Sequence, residues 1–326
     1  FVLSLAMVAG LVPAMSGGAN KVQAASGSGT KPSVLAYATK TQLMDGTFAP
    51  NADGTAVNYG KIVFGKKSDG RTAQEWYILG KDKDVSGDNT IIFAASPIAT
   101  KKAFENDWQR YKTYDSSFGV YTSNPTDVFP NHYGASDLRA VLKGMTGGSN
   151  TSYFTTAEQG LMNLTTVTTK DEKNNVTYTT TDKLYALQGD NVKEASKLWA
   201  GTSNSTVLAR SSYWSSRDEF LLRSPDNNDC SRTLLTAPGG YVSSYGVDYD
   251  GAVQPASNLN LSSVLFASAA KATSSSPAEL GTIASGTAMT LRLDGTGKNI
   301  GTVEYSATTG DINVVRGSTS QPVSLV

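Results

Sequence analysis

The sequence predicts an α+β fold: a mixed domain with short helices, followed by a truncated β-rich, Ig-like segment. Three observations carry this expectation. Short β-branched and aromatic bursts bounded by Gly, Asp or Ser fill the first part of the chain. Over residues 136–162 the hydrophobic period lengthens to that of a helix. Strand-like runs then return, separated by Gly- and Pro-containing turns.

The first twelve residues, Phe1 to Val12, form an apolar run shorter than the roughly 20 residues of a membrane-spanning helix. Val22-Gln23-Ala24 comes next, with small residues of the kind a signal peptidase reads. Residues 1–24 are therefore expected to be the remains of a secretory signal. With neither Met nor a basic segment at its start, the sequence is expected to be a fragment. Residues 25–54 read as a flexible lead-in, Ser/Gly/Thr-rich at its start.

Lys61-Ile62-Val63-Phe64-Gly65, Glu75-Trp76-Tyr77-Ile78-Leu79 and Asn89-Thr90-Ile91-Ile92-Phe93-Ala94 are the expected strands of a domain over 55–266. Ser136 reads as the N-cap of a helix that places Leu138, Val141, Leu142 and Met145 on one face. Thr155-Thr156-Ala157-Glu158 is a capping box opening a second short helix. Residues 165–181 are Thr-rich and suit a hairpin or exposed loop. Asp190 would cap a third helix through Val192, Ala195, Leu198 and Trp199. Phe220-Leu221-Leu222 and Thr233-Leu234-Leu235-Thr236 are strand candidates. Tyr241 to Tyr249 alternates into Asp250-Gly251, a hairpin-turn dipeptide. Residues 267–277 read as an Ala/Ser/Thr linker. Residues 278–326 read as part of a β-sandwich-like module, too short for seven strands.

Composition excludes several function classes. Lys+Arg and Asp+Glu both number 28, and no basic block is present to bind nucleic acid or an anionic membrane. A single cysteine, Cys230, cannot form an internal disulfide. His132 is the only histidine, and no G-x-S-x-G elbow or H-E-x-x-H motif occurs, which gives triad and zinc chemistry little ground. Gly65-x-x-x-x-Gly70-Arg71-Thr72 falls short of a phosphate loop, because Arg replaces Lys and no helix comes after it.

The order of several elements resembles a family. It runs Lys61–Gly65, Trp76–Leu79, Ser136-x-Leu138-Arg139, Tyr153-Phe154 with Glu158, Leu222-Arg223-Ser224-Pro225, and Gly246-Val247 through Val253-Gln254-Pro255-Ala256. This is similar to a secreted Firmicutes family of unknown function that carries an L-R-S-P signature followed by G-V-R-P-A-L. The resemblance covers residues 55–266 and implies a C-type-lectin-like fold. Two departures stand out: Phe220-Leu221 replaces a Trp pair, and Ala252 and Gln254 replace the Gly and Arg before Pro255. The family's sulfatase-modifying-factor relatives rely on cysteine chemistry, which one Cys does not support.

Trp76, Arg139, Arg223 and Pro225 are the structural residues the resemblance implies, the two arginines as anchors satisfying carbonyls and carboxylates. Asp226, Asn228 and Asp229 offer a calcium loop, with an ordinary Asx-rich turn as the alternative. No other cofactor is implied. Tyr241, Tyr245 and Tyr249 share one strand face by period two, with Asp248 beside them, and are the candidate ligand face, with a row of tyrosines that simply covers a sheet as the alternative. Glu158, Asp218, Glu219, Asp248 and Asp250 are the carboxylates a glycan hydrolase would draw on. The leading expectation is a non-catalytic extracellular binding or adhesion module for a glycan or surface protein. The alternatives are a secreted glycan hydrolase and a structural spacer.

Overall fold

The computed structural model describes residues 37–49, 60–106, 128–173, 175–190, 197–203, 219–237, 241–269, 288–294 and 308–309, with backbone alone at 112–113, 127, 207–208, 301–305 and 312–316. The expected signal segment 1–24 lies outside the described residues.

Strands dominate, with few and short helices, as an α+β composition requires. The three early apolar bursts become strands Lys61–Lys66, Ala73–Gly80 and Asn89–Ala94, joined as an antiparallel meander. They occupy the middle of a seven-stranded sheet. Asn89–Ala94 is buried along its whole length because both sheet faces are covered. Ile92 and Ala94 point into one hydrophobic core, and Ile91 and Phe93 into a second. An unbroken apolar run is the sequence form of such a two-sided strand.

The local helix signals form as written. Ser136 Oγ accepts from the Arg139 N–H at 3.1 Å and starts helix Asp137–Met145. Leu138, Leu142 and Met145 enter the main core, and Val141 packs at its margin. Thr155 and Glu158 exchange both bonds of a capping box at the head of Thr156–Leu161. The Thr-rich stretch is the hairpin Thr165–Asp171 and Val176–Asp182.

Four expectations are corrected. Tyr37–Thr39, assigned to a flexible lead-in, is a sheet strand paired with Val264–Ser268. The Thr39–Gln42 capping box then begins helix Lys40–Met44, whose Leu43 is buried. Ala288–Leu293, placed in a separate module, is inserted between Val264–Ser268 and Lys61–Lys66. Met289 is fully buried, so this strand is bound to the main core. Leu198–Trp199 is a strand paired with Gln188–Gly189, not the end of a helix. Leu198 enters the second core; Val192 and Ala195, the other residues of the expected helix, lie outside the described residues.

The fourth correction concerns Asp250-Gly251. Tyr241–Gly246 pairs with its predecessor Arg232–Ala237, and the chain turns at Gly246–Tyr249 instead. Gly251–Val253 then crosses to Ala99–Lys102. Gly251 serves close packing: a Cβ there would sit 2.8 Å from Leu221 Cγ. The backbone pair Gly301–Tyr305 and Ile312–Arg316 forms an antiparallel hairpin.

Candidate functional site

The L-R-S-P element is a staple joining three segments. Leu222 fills the second core. The Arg223 guanidinium donates to Ala186 O at 2.7 Å, to Thr168 O at 3.2 and 3.3 Å, and to Gln188 Oε1 at 3.3 Å. Ser224 Oγ accepts from Gly189 N–H at 2.8 Å, and buried Pro225 ends the strand. Arg223 is 1 % exposed, and burial lowers its pKa to about 10. These acceptors are neutral oxygens, where the resemblance implies a carboxylate among the partners. Arg139 is the arginine that meets a carboxylate, Asp182 Oδ2 at 2.8 Å, with Gly134 O at 2.9 Å.

Trp76 is fully buried and donates from Nε1 to Phe64 O at 2.6 Å. Phe154 packs between the Phe64 and Trp76 rings. Gly65, at φ +72°, lies under Phe154 and donates its N–H to Glu158 Oε1. Glu158 therefore serves the Thr155 cap and the Gly65 turn. Gln254, where the family pattern has Arg, donates from its amide to Ala94 O at 2.8 Å. A neutral donor does that anchoring without needing an anion.

The expected tyrosine row is divided. Tyr241, Ser243 and Tyr245 do share a face, but that face also carries Leu235, which lies in the main core. Tyr245 packs partly buried against this core, and Val247 is fully buried. Tyr241 and Tyr249 are the exposed members, at 37 % and 38 %. They lie at opposite ends, since Tyr241 pairs with Ala237 whereas Gly246 pairs with Arg232. The strand from Tyr241 to Gly246, where the Tyr249 turn begins, spans roughly 17 Å.

The structure brings together Tyr245, Tyr249, Asp248 and Glu219. The ring centroids of Tyr245 and Tyr249 are 4.8 Å apart at 42°. Tyr249 Oη donates to Glu219 Oε2 at 2.5 Å, and this bond raises the pKa of the phenol. Glu219 is placed by the Ala252 N–H, which donates to Glu219 O at 2.8 Å. The turn itself is pinned from two sides: Val247 N–H donates to Ser231 O, and Glu105 N–H to Val247 O. Asp248 folds back over Gly246, where a Cβ would sit 2.6 Å from Asp248 Oδ1. The sequence singles out both tyrosines but gives Glu219 no part in their surface, because a segment 30 residues away supplies it.

The Asp226–Asp229 loop lies at the same end of the three-stranded sheet, joining strands Leu221–Pro225 and Arg232–Ala237. Its side chains mostly serve the turn. Asp226 Oδ1 accepts the N–H groups of Asn228 and Asp229, both at 2.8 Å. Asp229 Oδ1 accepts from Ser231 N–H and Oγ, which lowers the Asp229 pKa. The Asn228 carbonyl accepts from Lys173 at 2.5 Å. These are Asx-turn bonds, and a cation beside the loop disfavours another. Among the described residues no three His, Cys, Asp or Glu side chains converge as a metal site.

A second acidic loop joins strands Ala73–Gly80 and Asn89–Ala94. Asp82-x-Asp84-x-Ser86-Gly87-Asp88 begins like a calcium loop, but Phe93 stands where that loop ends in Glu. In the fold, however, Thr202 closes it, with its N–H and Oγ on the two oxygens of Asp82 at 2.9 and 2.8 Å. An open depression of about 400 Å³ is lined by Lys67, Ser68, Asp69 and Ser96 to Thr100. Thr72 Oγ1 and the N–H groups of Arg71 and Thr72 hold the Asp69 pKa down to about 2. Of the five hydrolase candidates, Asp218 lies outside the described residues, and Glu158 serves the Gly65 turn.

Among the described residues no helix is long and apolar enough to cross a membrane. No family model, no curated protein and no solved structure matches the chain. What the fold and site define is a β-rich α+β domain displaying one braced aromatic turn beside a carboxylate.

Proposed function

We propose that this chain is a secreted, non-catalytic binding or adhesion module of a bacterial cell surface, recognising a glycan or protein ligand through the Tyr249 turn. The observation that carries the reading is the bracing of an exposed ring. Tyr249 leans on Tyr245, is tied to Glu219, and still leaves 38 % of its surface in solvent. A fixed aromatic surface loses little entropy on binding and offers both a stacking face and a polar tip. The C-type-lectin-like relationship belongs to this proposal. Its support is that Leu222, Arg223, Ser224 and Pro225 each carry a distinct structural role in one staple. The Ig-like reading of the C-terminal segment is confined to the residues after Leu293, since Ala288–Leu293 itself belongs to the main sheet.

The test is a glycan and extracellular-protein array probed with the whole chain and with Tyr249→Ala. An anchoring aromatic contributes about 2 kcal/mol or more, so the variant should bind roughly 30-fold more weakly at an unchanged melting temperature. Retained binding in Tyr249→Ala would remove this turn from the account.

A further inference from the structure

We propose that the Tyr245–Tyr249 turn selects a ligand carrying an organic ammonium ion. The inference rests on the binding reading above and adds to it the charge of the group bound.

Three features of the turn favour a cation over a neutral sugar or an anion. The first is the aromatic pair: two tilted rings with centroids 4.8 Å apart, the outer one exposed. The face of an aromatic ring is electronegative and attracts an ammonium group placed over it. The second is the Tyr249 hydroxyl, which donates to Glu219 Oε2 at 2.5 Å. Donation to a carboxylate pushes electron density back into the ring and makes its face a better partner for a cation. The same bond resists ionisation of the phenol, so it remains a donor at neutral pH.

The third feature is the local charge. Glu219, Asp248 and Asp250 all lie at or beside the turn, and none of them takes part in an ion pair among the described residues. The basic residues on adjoining strands are Arg232, opposite Gly246, buried Arg223, and the exposed Lys101 and Lys102, of which Lys102 lies opposite Gly251. Arg232 is engaged elsewhere, with Nε on Ser244 Oγ at 2.9 Å and Nη2 on Ser244 O at 2.6 Å. The carboxylate that a cation on the Tyr249 ring would meet is Glu219, bonded to that ring's hydroxyl. A quaternary ammonium suits this surface because it is weakly hydrated, binds ring faces and gains from nearby carboxylates without requiring a directed hydrogen bond.

The experiment is an amide-resolved NMR titration of the whole chain with choline chloride, run against 3,3-dimethylbutan-1-ol, its uncharged carbon isostere, and against sodium chloride. Choline should move Glu219, Tyr245 and Tyr249 saturably, and the isostere should bind about tenfold more weakly or worse. Glu219→Gln should weaken choline several-fold and leave the isostere unaffected. Tyr249→Leu should abolish both responses while the melting temperature holds. Equal binding of choline and its isostere, no choline response at Tyr249, or a response that survives Tyr249→Leu would each overturn the proposal. If an array ligand depends on Tyr249 but choline does not bind, the ammonium proposal falls and the binding module stands. If neither depends on Tyr249, both fall.

Discussion

Lowering the pH from 7.5 to 5 should destabilise the fold by about 2 kcal/mol through one side chain. His132 is the only histidine in the chain. It is 1 % exposed and lies face to face with Tyr178, ring centroids 4.0 Å apart at 15°. Burial, aided by the nearby Arg139 charge, lowers its pKa from 6.5 to about 3. A proton therefore binds the unfolded chain near pH 6.5 but the folded one only near pH 3. Acid favours the unfolded state, and stability is lost as pH falls through 6.5, the loss levelling off near pH 3. At pH 5 the unfolded value is passed by about 1.5 units, each worth about 1.4 kcal/mol. Urea unfolding at the two pH values measures the effect, with His132→Phe as control because a phenyl ring can keep the stack. The wild-type midpoint should drop by roughly 1 M and that of the variant by much less. An equal drop in both proteins would refute the reasoning, since carboxylates common to both would then carry the acid sensitivity.

The same interior sets three further outcomes. Arg223→Ala should cost about 3 kcal/mol in chemical denaturation, because buried Thr168 O and Ala186 O lose their donor; a change below about 0.5 kcal/mol would mark the site as exposed. Gly65→Ala should cost about 2–4 kcal/mol, since the new Cβ would lie 2.5 Å from Phe154 at φ +72°; a neutral outcome by thermal melting would contradict the packing. Asp69 should titrate near pH 2 by carboxyl NMR. Its folded pKa is depressed, so the stability it contributes is present above about pH 4 and is lost as pH falls through 2; a midpoint near 4 would contradict the Thr72 contacts.

What the sequence disclosed was mostly local. The Ser136 cap and the Thr155–Glu158 box lie within four residues, so their chemistry is complete on the line of the chain. The apolar bursts named their strands because β-branched and aromatic residues between turn formers leave little alternative. Pairing was not legible. Nothing near Ala288–Leu293 shows that it lies parallel to Lys61–Lys66, and the Ala/Ser/Thr stretch before it imitates a domain boundary. The Tyr241–Tyr249 alternation implied one solvent face, yet Leu221–Pro225, Arg232–Ala237 and Tyr241–Gly246 form a sheet with core on both sides. Tyr245 was therefore drawn inward, and Tyr241 and Tyr249 were left apart. Glu219 stands out in the sequence only as a hydrolase carboxylate, because its place beside Tyr249 depends on the Ala252 contact.

The measurement closest to the central claim is a hydrogen-exchange footprint of the whole chain with and without a ligand found on the array. Slowed exchange should appear at Glu219 and across Tyr245–Asp250, where the braced ring and the acidic rim meet. Slowed exchange confined to Lys67–Asp69 and Ser96–Thr100, or to the Asp226–Asp229 loop, would contradict the account and move the binding surface away from Tyr249.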